Sequence, residues 1–479
     1  MTIRHSLYTV SLLITVLLFS GVLAQQQQQR EYQPTIQSLD RHEVPEWYHD
    51  AKLGIFIHWG IYSVPAWAPT TGELGSVERE QWFKYNPYAE WYLNSLRIIG
   101  SPTREHHYET YGRDFDYYNF AGTFNKEVQQ WEPDEMASVF QDVHARYVVL
   151  TSKHHDGFTL WPSHFRNPYL PFDKQQAARD VVGELTGAVR GHGMRMGLYY
   201  SGGIDWSFHP VVITGGLDWS KVTPRSDEFK IYARNHWEEL ISEYQPAILW
   251  NDIAYPDRQD AMEIIADYYN QHPEGVINNR WSLSFQDFTT PEYAQYDRLT
   301  SQKWEATRGI AYSFGYNQNS GPEQMLTVDE LVDMFVDIVS KNGNLLLNVG
   351  PKPDGTIPEL QVDRLRGLGR WLDVNGEAIF GSRPWVVSAE RIDQNVEVRY
   401  TQKGDAGYAI LLDAPRGNSL TLRTLYLEEG TTISILGGEE DLGWEQEGRD
   451  LNIMLPDNLP GEHAYTLKMS PKPFRVVQE

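Results

Sequence analysis

The chain has 479 residues, which suits one large domain plus a smaller one. Its 65 acidic residues outnumber its 41 basic residues and give a formal net charge of −24. This charge argues against nucleic acid and anionic membrane surfaces as partners, and it is compatible with a neutral substrate.

The first residues have the order typical of a secretory signal peptide. Arg4 and His5 precede an apolar stretch that ends in small residues near Ala24. We predict a signal peptide at 1–24, with a membrane anchor as the alternative, and a polar leader at 25–37. No second apolar run is long enough to span a bilayer, so no membrane association is expected after cleavage. The chain has no cysteine and no Asn-x-Ser/Thr sequon, which favours a secreted or periplasmic bacterial protein.

Short apolar runs alternate with helical segments across residues 38–380. Continuous apolar runs fit strands that are buried on both faces. The helical segments carry start signals, since Asp180 can cap one helix and Pro133 opens another. This alternation predicts an α/β fold with a (β/α)8-like barrel as the catalytic domain. The apolar runs are 53–57, 147–150, 196–200, 247–250, 275–277 and 345–349.

The pattern changes in residues 381–479. Short strand-like stretches follow one another here, separated by turns rich in Gly, Asp and Pro. This pattern predicts a C-terminal all-β sandwich domain.

Polar residues follow several predicted strands at their carboxyl ends, where barrel enzymes carry their active sites. His58 follows the first run, and His154, His155 and Asp156 follow the second. Each histidine has an alternative role as a hydrogen-bonded structural group. The three neighbouring residues also raise the alternative of a metal site. They lack the converging spacing typical of metal ligands, so we expect no metal.

Asp252 ends the apolar run 247–252 and is the best candidate for a catalytic carboxylate. A carboxylate after a buried Leu-Trp-Asn stretch is costly unless it is paired or functional. Its alternative role is the N-cap of the next helix. Retaining glycoside hydrolysis uses one carboxylate to attack the anomeric carbon and another to protonate the leaving oxygen. Glu292 and Glu305 both qualify as the second carboxylate from their positions alone.

Several motifs follow one another in order along the chain. The most specific are a Lys-His-His-Asp-Gly-Phe block at 153–158 and a His-Trp-Gly block followed by Ser-Val-Pro within 58–65. With these motifs the chain resembles the α-L-fucosidases of glycoside hydrolase family 29 over nearly its whole mature length. The other matching stretches are 54–57, 66–67, 88–92, 197–201, 249–252, 279–281, 313–317 and 343–351.

The resemblance implies a retaining enzyme that removes terminal, non-reducing α-L-fucose from fucosylated glycans. It implies a catalytic (β/α)8-like barrel followed by a β-sandwich, with no cofactor and no catalytic metal. Asp252 corresponds to the family's nucleophile. Glu292, in a Thr-Pro-Glu-Tyr stretch, corresponds to the acid/base, with Glu305 as the alternative. The family's fucose pocket maps to His58, Glu90, Trp91, His154, His155, Tyr199, Arg280 and Phe314.

Two other functions stay open as alternatives. One is a related glycosidase specificity, such as α-L-galactosidase, and the other is a catalytically inactive fucose-binding protein. An insertion at 204–227 follows the Tyr199 strand, so we expect it near the mouth of the site, where it would shape leaving-group preference. The sequence leaves the oligomeric state open, a homo-oligomer included, and it does not indicate the natural linkage.

Overall fold

The computed structural model describes residues 32–215, 221–423 and 425–475. The predicted signal peptide (1–24) and residues 25–31 of the predicted leader lie outside these ranges. Within the described part of the chain, no helix is long and apolar enough to cross a membrane.

The rest of the predicted leader, residues 32–37, packs against the barrel. The backbone amide of Tyr32 donates to Oδ1 of Asn270 at 2.7 Å, and the rings of Tyr32 and Tyr269 lie 5.3 Å apart. Thr35 then caps a short helix by accepting a hydrogen bond from the amide of Ser38. This segment is therefore part of the folded domain.

Seven strands form the central sheet of the first domain: β1 (Leu53–Ile57), β2 (Tyr147–Lys153), β3 (Arg195–Ser201), β4 (Ile248–Asp252), β5 (Val276–Ile277), β6 (Trp304–Gly309) and β7 (Gly343–Val349). They pair in parallel in the order β5-β4-β3-β2-β1-β7-β6. Almost all of their residues are buried, as expected for strands covered on both faces. Their carboxyl ends therefore meet at one edge of the sheet.

Residues 288–292 lie between the two edge strands, β5 and β6. Asn278, directly after β5, forms an isolated parallel bridge with Phe288, and Glu292 forms one with Thr307 of β6. The segment takes the place of an eighth strand and brings Glu292 to the edge where the other strands end. The predicted (β/α)8-like α/β fold is confirmed, with one irregular member.

Helices surround the sheet, and their sequence signals act as expected. The Asp180 side chain accepts from the amide of Gly183 at 2.8 Å and caps the helix that begins at Val181, and Pro133 is the first residue of another. The α-helices of the described residues are α1 (Ile36–Leu39), α2 (Glu46–Ala51), α3 (Arg79–Trp82), α4 (Tyr92–Arg97), α5 (Pro102–Thr110), α6 (Phe120–Glu127), α7 (Pro133–Asp142), α8 (Val181–Gly191), α9 (Asp227–Tyr244), α10 (Arg258–Gln271), α11 (Val328–Ser340) and α12 (Glu359–Asn375).

The second domain consists of antiparallel strands: β8 (Arg383–Arg391), β9 (Glu397–Lys403), β10 (Ala406–Leu411), β11 (Ser419–Leu422), β12 (Leu425–Tyr426), β13 (Thr432–Ile435), β14 (Trp444–Glu447), β15 (Asp450–Met454), β16 (Tyr465–Ser470) and β17 (Phe474–Arg475). A five-stranded sheet, β13-β16-β10-β9-β8, accompanies a three-stranded sheet, β11-β15-β14. Their inner faces share a separate apolar core. The predicted all-β domain is confirmed.

Side chains from the two domains meet along α11 and α12. Nε of Arg399 lies 2.6 Å from Oδ1 of Asp337, and both side chains are mostly buried. Nε1 of Trp371 donates to the carbonyl oxygen of Ala464 at 2.9 Å. These buried polar contacts fix the β domain against the barrel helices.

Candidate active site

A pocket of about 990 Å³ opens at the edge where the barrel strands end. Such an edge is where parallel barrels carry their chemistry. The residues predicted to be catalytic or sugar-binding come from distant parts of the chain, yet all except the alternative acid/base Glu305 line this pocket: His58, Glu90, Trp91, His154, His155, Tyr199, Asp252, Arg280, Glu292 and Phe314.

Asp252, the last residue of β4, is held by three donors. Its Oδ1 accepts from Nη1 of Arg280 at 2.6 Å and from the amide of Ile253 at 2.8 Å, and its Oδ2 accepts from the Tyr199 hydroxyl at 2.7 Å. Burial raises the pKa of Asp252, but the Arg280 guanidinium and the hydrogen bonds from Tyr199 and Arg280 outweigh burial and hold the pKa below its ordinary value. The carboxylate is therefore ionised and fixed in direction.

The alternative role of Asp252 as a helix cap does not hold. The next helix, α10, is capped by Asp257, whose carboxylate accepts from the amides of Gln259 and Asp260 at 2.9 and 3.2 Å. Asp252 lies outside that cap and faces the pocket instead.

Glu292 lies on the other side of the same guanidinium. Nη2 of Arg280 is 3.4 Å from its Oε2, and the Tyr88 hydroxyl is 3.3 Å from its Oε1. Burial raises the pKa of Glu292, and the neighbouring charge of Asp252 raises it further, against the lowering effect of Arg280. The two carboxylates thus have opposite ionisation preferences around one shared cation.

Glu305, the alternative acid/base, points into the closed interior of the barrel and away from the pocket. Its side chain is fully buried and accepts from the hydroxyls of Tyr48 and Tyr147 at 2.8 and 2.6 Å and from Nε1 of Trp250 at 3.0 Å. It does not line the pocket. Its carboxylate accepts hydrogen bonds from these three donors, so its role is to satisfy buried polar groups at the end of the barrel opposite the pocket.

The loop after β2 holds the two neighbouring histidines in place. Nζ of Lys153 lies 2.8 Å from Oδ2 of Asp205 in a completely buried ion pair. Gly157 turns the loop with φ of +84°, and a Cβ there would lie 2.9 Å from Oδ1 of the same aspartate. The carbonyl of His155 accepts from the amide of Trp206 at 2.8 Å. These contacts explain why the loop carries a Lys and a Gly around its histidines.

The pocket histidines are neutral and one pocket carboxyl is easily protonated. Burial lowers the pKa of His58 to about 4 and that of His155 to about 3. Burial raises the pKa of Glu90 to about 7, although its carboxylate accepts from the amide of Gly315 at 2.8 Å. Neutral rings and a protonatable carboxyl suit an uncharged, hydroxyl-rich ligand.

The three residues considered as a metal site do not converge on a common point. The carboxylate of Asp156 accepts from the Tyr117 hydroxyl at 2.8 Å and from the amide of Phe158 at 3.0 Å, whereas His154 and His155 face the pocket. Within the described ranges, a different group has ligand atoms close enough to hold an ion. It lies outside the pocket and consists of His164, Glu239 and Glu243.

Comparison with known proteins agrees with this arrangement. The family model for alpha-L-fucosidase matches residues 20–377, and the model for the alpha-L-fucosidase C-terminal domain matches residues 393–470. The chain belongs to the α-L-fucosidase family. It is a glycoside hydrolase with α-L-fucosidase activity, EC 3.2.1.51.

Related enzymes match along most of their length. Tissue alpha-L-fucosidase of Rattus norvegicus is 34% identical over 459 residues, covering 92% of each chain. The Homo sapiens tissue enzyme is 34% identical over 480 residues, covering 96% of each chain. The solved structure of Thermotoga maritima alpha-fucosidase in complex with fucose is 44% identical, with a TM-score of 0.84, and covers 91% of this chain and 100% of that one.

Part of the α-L-fucosidase pocket was missed by the sequence analysis. Its floor is formed by Phe56 and Trp250, and its outer wall by residues 74–78 with the rings of Trp82 and Phe83. The sequence of residues 74–78 contains neither a motif nor a periodic apolar pattern, so it gave no signal for this wall. An ion pair that spans 235 positions of the chain, Arg308 Nη2 to Glu73 Oε2 at 2.8 Å, ties this wall to β6.

Tyr88 was also missed, although a signal for it existed. It opens the motif 88–92, whose other members Glu90 and Trp91 were assigned to the sugar pocket. Its hydroxyl contacts Glu292, and its ring lies 5.3 Å from that of Phe314. Tyr88 therefore connects the acid/base candidate to the apolar side of the pocket.

The described part of the insertion at 204–227 lies elsewhere than expected. None of its described residues, 204–215 and 221–227, lines the pocket. Trp206 packs one layer behind, 5.5 Å from the ring of Trp91 and 5.4 Å from that of His155. In its described part the insertion packs behind Trp91 and His155, because four of its apolar residues are buried in the domain core: Ile204, Trp206, Ile213 and Val222.

Proposed function

We propose that this enzyme is an exo-acting, retaining α-L-fucosidase in which Asp252 is the nucleophile and Glu292 is the acid/base. The observation that carries the proposal is the contrast between two carboxylates that share Arg280. The guanidinium lowers the pKa of Asp252 in spite of burial, and burial raises the pKa of Glu292. Environments that separate two pKa values in this way are typical of nucleophile and acid pairs. Loss of turnover in Asp252→Gly tests the assignment.

In the first step, a carboxylate oxygen of Asp252 bonds to the anomeric carbon while the bond to the leaving oxygen breaks. Glu292 gives its proton to that oxygen, so the aglycone leaves as an alcohol. In the second step, water attacks the same carbon, the bond to Asp252 breaks, and Glu292 takes the proton from water. Two displacements at one carbon retain its configuration.

The shape of the pocket supports action on a terminal sugar. The rings of Phe56, Tyr199 and Trp250 close its floor, and all three are buried. We infer that this floor stops a continuing glycan chain, so that only a terminal residue reaches the carboxylates. We propose that His58, Glu90, Trp91, His154 and His155 pair with the hydroxyls of fucose and that Phe314 contacts its methyl group or a face of the ring.

We expect kcat/KM to follow a bell-shaped pH profile. Asp252 must be ionised, so activity falls as the pH drops through its lowered pKa. Glu292 must be protonated, so activity falls as the pH rises through its raised pKa. Initial rates on an activated aryl α-L-fucoside over the pH range in which the enzyme stays folded measure both limbs. In Glu292→Gln the alkaline limb should disappear. If it persists unchanged, Glu90, with its pKa of about 7, is the group that titrates.

We expect a matched aryl α-L-fucoside to exceed the α-L-galactoside in kcat/KM by about 10–100-fold, since an apolar surface rejects an added hydroxyl only moderately. Phe314 supplies that surface and is 5% exposed. Phe314→Ala should reduce the ratio of kcat/KM for the fucoside to kcat/KM for the galactoside, because the smaller side chain makes room for the hydroxymethyl group of the galactoside. Equal rates on both substrates in the unmodified enzyme would contradict a fucose-selective pocket.

We further propose that the enzyme is exported by its N-terminal segment. The order of a basic start, an apolar stretch and small residues near Ala24 supports this. N-terminal sequencing of protein recovered from the periplasm or the medium should begin near Gln25. Recovery of the enzyme only from the cytoplasm, with the first 24 residues intact, would contradict export.

A further inference from the structure

Two pocket histidines are held from behind by buried side chains to which the proposed mechanism gives no role. Nδ1 of His58 lies 2.7 Å from Oδ1 of Asn348, and Nδ1 of His155 lies 2.6 Å from Oγ of Ser201. Both partners are buried. A neutral imidazole has one protonated and one bare nitrogen, and the group behind the ring decides which is which.

The direction of the Asn348 amide is settled by its second contact. Its Nδ2 lies 2.6 Å from the carbonyl oxygen of Phe314, which can only accept a hydrogen bond. The amide nitrogen must therefore face Phe314, and the amide oxygen must face His58. Because that oxygen cannot donate, the hydrogen between the two side chains belongs to Nδ1 of His58.

The same reasoning applies to Ser201, which has a single hydroxyl hydrogen. Its Oγ lies 2.6 Å from the carbonyl oxygen of Ile204, again an atom that only accepts. The hydroxyl donates there and must accept from His155. Nδ1 of His155 therefore carries the ring hydrogen.

We propose that Asn348 and Ser201 are positioning residues that keep His58 and His155 as Nδ1–H tautomers, so that both rings offer a bare Nε2 to the sugar as a hydrogen-bond acceptor. Both rings line the pocket, and the structure gives their Nε2 atoms no hydrogen bond to any described residue. Oδ2 of Asp252 is 3.8 Å from Nε2 of His155, beyond hydrogen-bond distance. The inference rests on the proposed function, because it assumes that sugar hydroxyls fill the pocket.

His154, which lies between these rings, has the opposite polarity. Its Nδ1 is buried without a hydrogen-bond partner. A buried N–H without an acceptor is costly, so we place the ring hydrogen on Nε2 and leave Nδ1 bare. The pocket then offers two acceptors and one donor in a fixed pattern. A sugar fits this pattern only if two of its hydroxyls donate hydrogen bonds to the two Nε2 acceptors. Methylation or removal of either hydroxyl therefore weakens binding.

The tautomers can be observed directly in the free enzyme labelled with 15N-histidine. Protonated and bare ring nitrogens give separate signals, and the signals of the two rings are those that vanish in His58→Gln and His155→Gln. Near neutral pH both rings should show Nδ1–H and a bare Nε2. An Nε2–H signal from either ring overturns the proposal for that ring. This readout needs no turnover, so it is independent of whether Asp252 is the nucleophile.

The kinetic consequence is tested with Asn348→Leu and a matched control, Asn344→Leu. The two asparagines lie four positions apart on β7, on the same side of the strand, and both are buried. Asn344 donates to the carbonyl of Tyr48 at 2.9 Å and does not line the pocket. We expect both variants to lose thermal stability, but only Asn348→Leu to raise KM about tenfold, the worth of one hydrogen bond, with a smaller change in kcat.

A comparable rise in KM for Asn344→Leu would mean that the effect is general loosening, and it would overturn the positioning role. If Asn348→Leu does not fold, Ser201→Ala provides the same comparison through His155. It removes one oxygen from a buried site, and it should raise KM and release the His155 ring to the Nε2–H form in the 15N spectrum. An unchanged KM together with an unchanged tautomer in Ser201→Ala would overturn the role of Ser201.

Discussion

We expect Asp252→Gly to lower kcat on an aryl α-L-fucoside by about 10⁴-fold or more, the scale on which removing a nucleophile acts. Glycine leaves no group that can bond to the anomeric carbon. It also leaves Arg280 and Tyr199 without the carboxylate that they hold at 2.6 and 2.7 Å. Initial rates at saturating substrate, with enzyme concentration raised to bring slow turnover into range, measure the loss.

Asp287→Asn is the matched control for this variant. Asp287 is also a buried carboxylate near the end of a barrel segment, and it accepts from the Tyr269 hydroxyl and from the amide of Ile277, each at 2.7 Å. It does not line the pocket, so its replacement should affect stability and leave kcat close to that of the unmodified enzyme. Activity near the unmodified level in folded Asp252→Gly would remove Asp252 from the mechanism.

We expect Glu292→Ala to lower kcat by about 10²–10⁴-fold on a substrate with a poor leaving group, the usual contribution of general acid–base catalysis. On a fucoside with an activated leaving group, departure needs no proton, so the glycosyl-enzyme forms and then waits for water. Azide attacks that intermediate without a general base and should restore turnover. The product should be fucosyl azide, with the configuration that a single displacement at the intermediate produces.

Glu305→Ala should behave differently under the same conditions. It leaves the hydroxyls of Tyr48 and Tyr147 and the indole N–H of Trp250 without their shared acceptor, at about 1–3 kcal/mol for each unpaired donor. Its melting temperature should fall, azide should have no effect, and Glu305→Gln should recover part of the stability because the amide still accepts. Azide rescue of Glu305→Ala, and not of Glu292→Ala, would reverse the assignment.

The strand ends illustrate how far local sequence reaches. An apolar run followed by a polar residue predicts a buried strand whose end faces an active site, and Asp252 lies at such an end. For the histidine loop at 153–158, the order of the motifs along the chain likewise predicted a position at the active site. These signals are readable because each depends on neighbours within a few positions of the chain.

Glu292 and Glu305 show what local sequence cannot predict, namely which of two carboxylates faces the pocket. Both follow the fifth strand, and both are fully or mostly removed from solvent, so spacing and composition treat them alike. One belongs to an irregular segment joined to β5 and β6 by isolated bridges, and the other faces Tyr48 and Tyr147 in the closed interior. Each carboxylate faces either the pocket or the closed interior of the barrel. Its direction depends on how its segment pairs with strands that are far away in the chain.

The sequence by itself determined the two-domain architecture, the polar residues at the strand ends and the family, because burial periodicity and motif order are local properties. Only the tertiary structure decided that Glu292 shares Arg280 with Asp252, that residues 74–78 form the outer wall, and that Asn348 and Ser201 stand behind His58 and His155. These relations join residues between 12 and 290 positions apart. The folded barrel brings these residues together. Only then do their distances fix the charge of a carboxyl group or the unprotonated nitrogen of an imidazole ring.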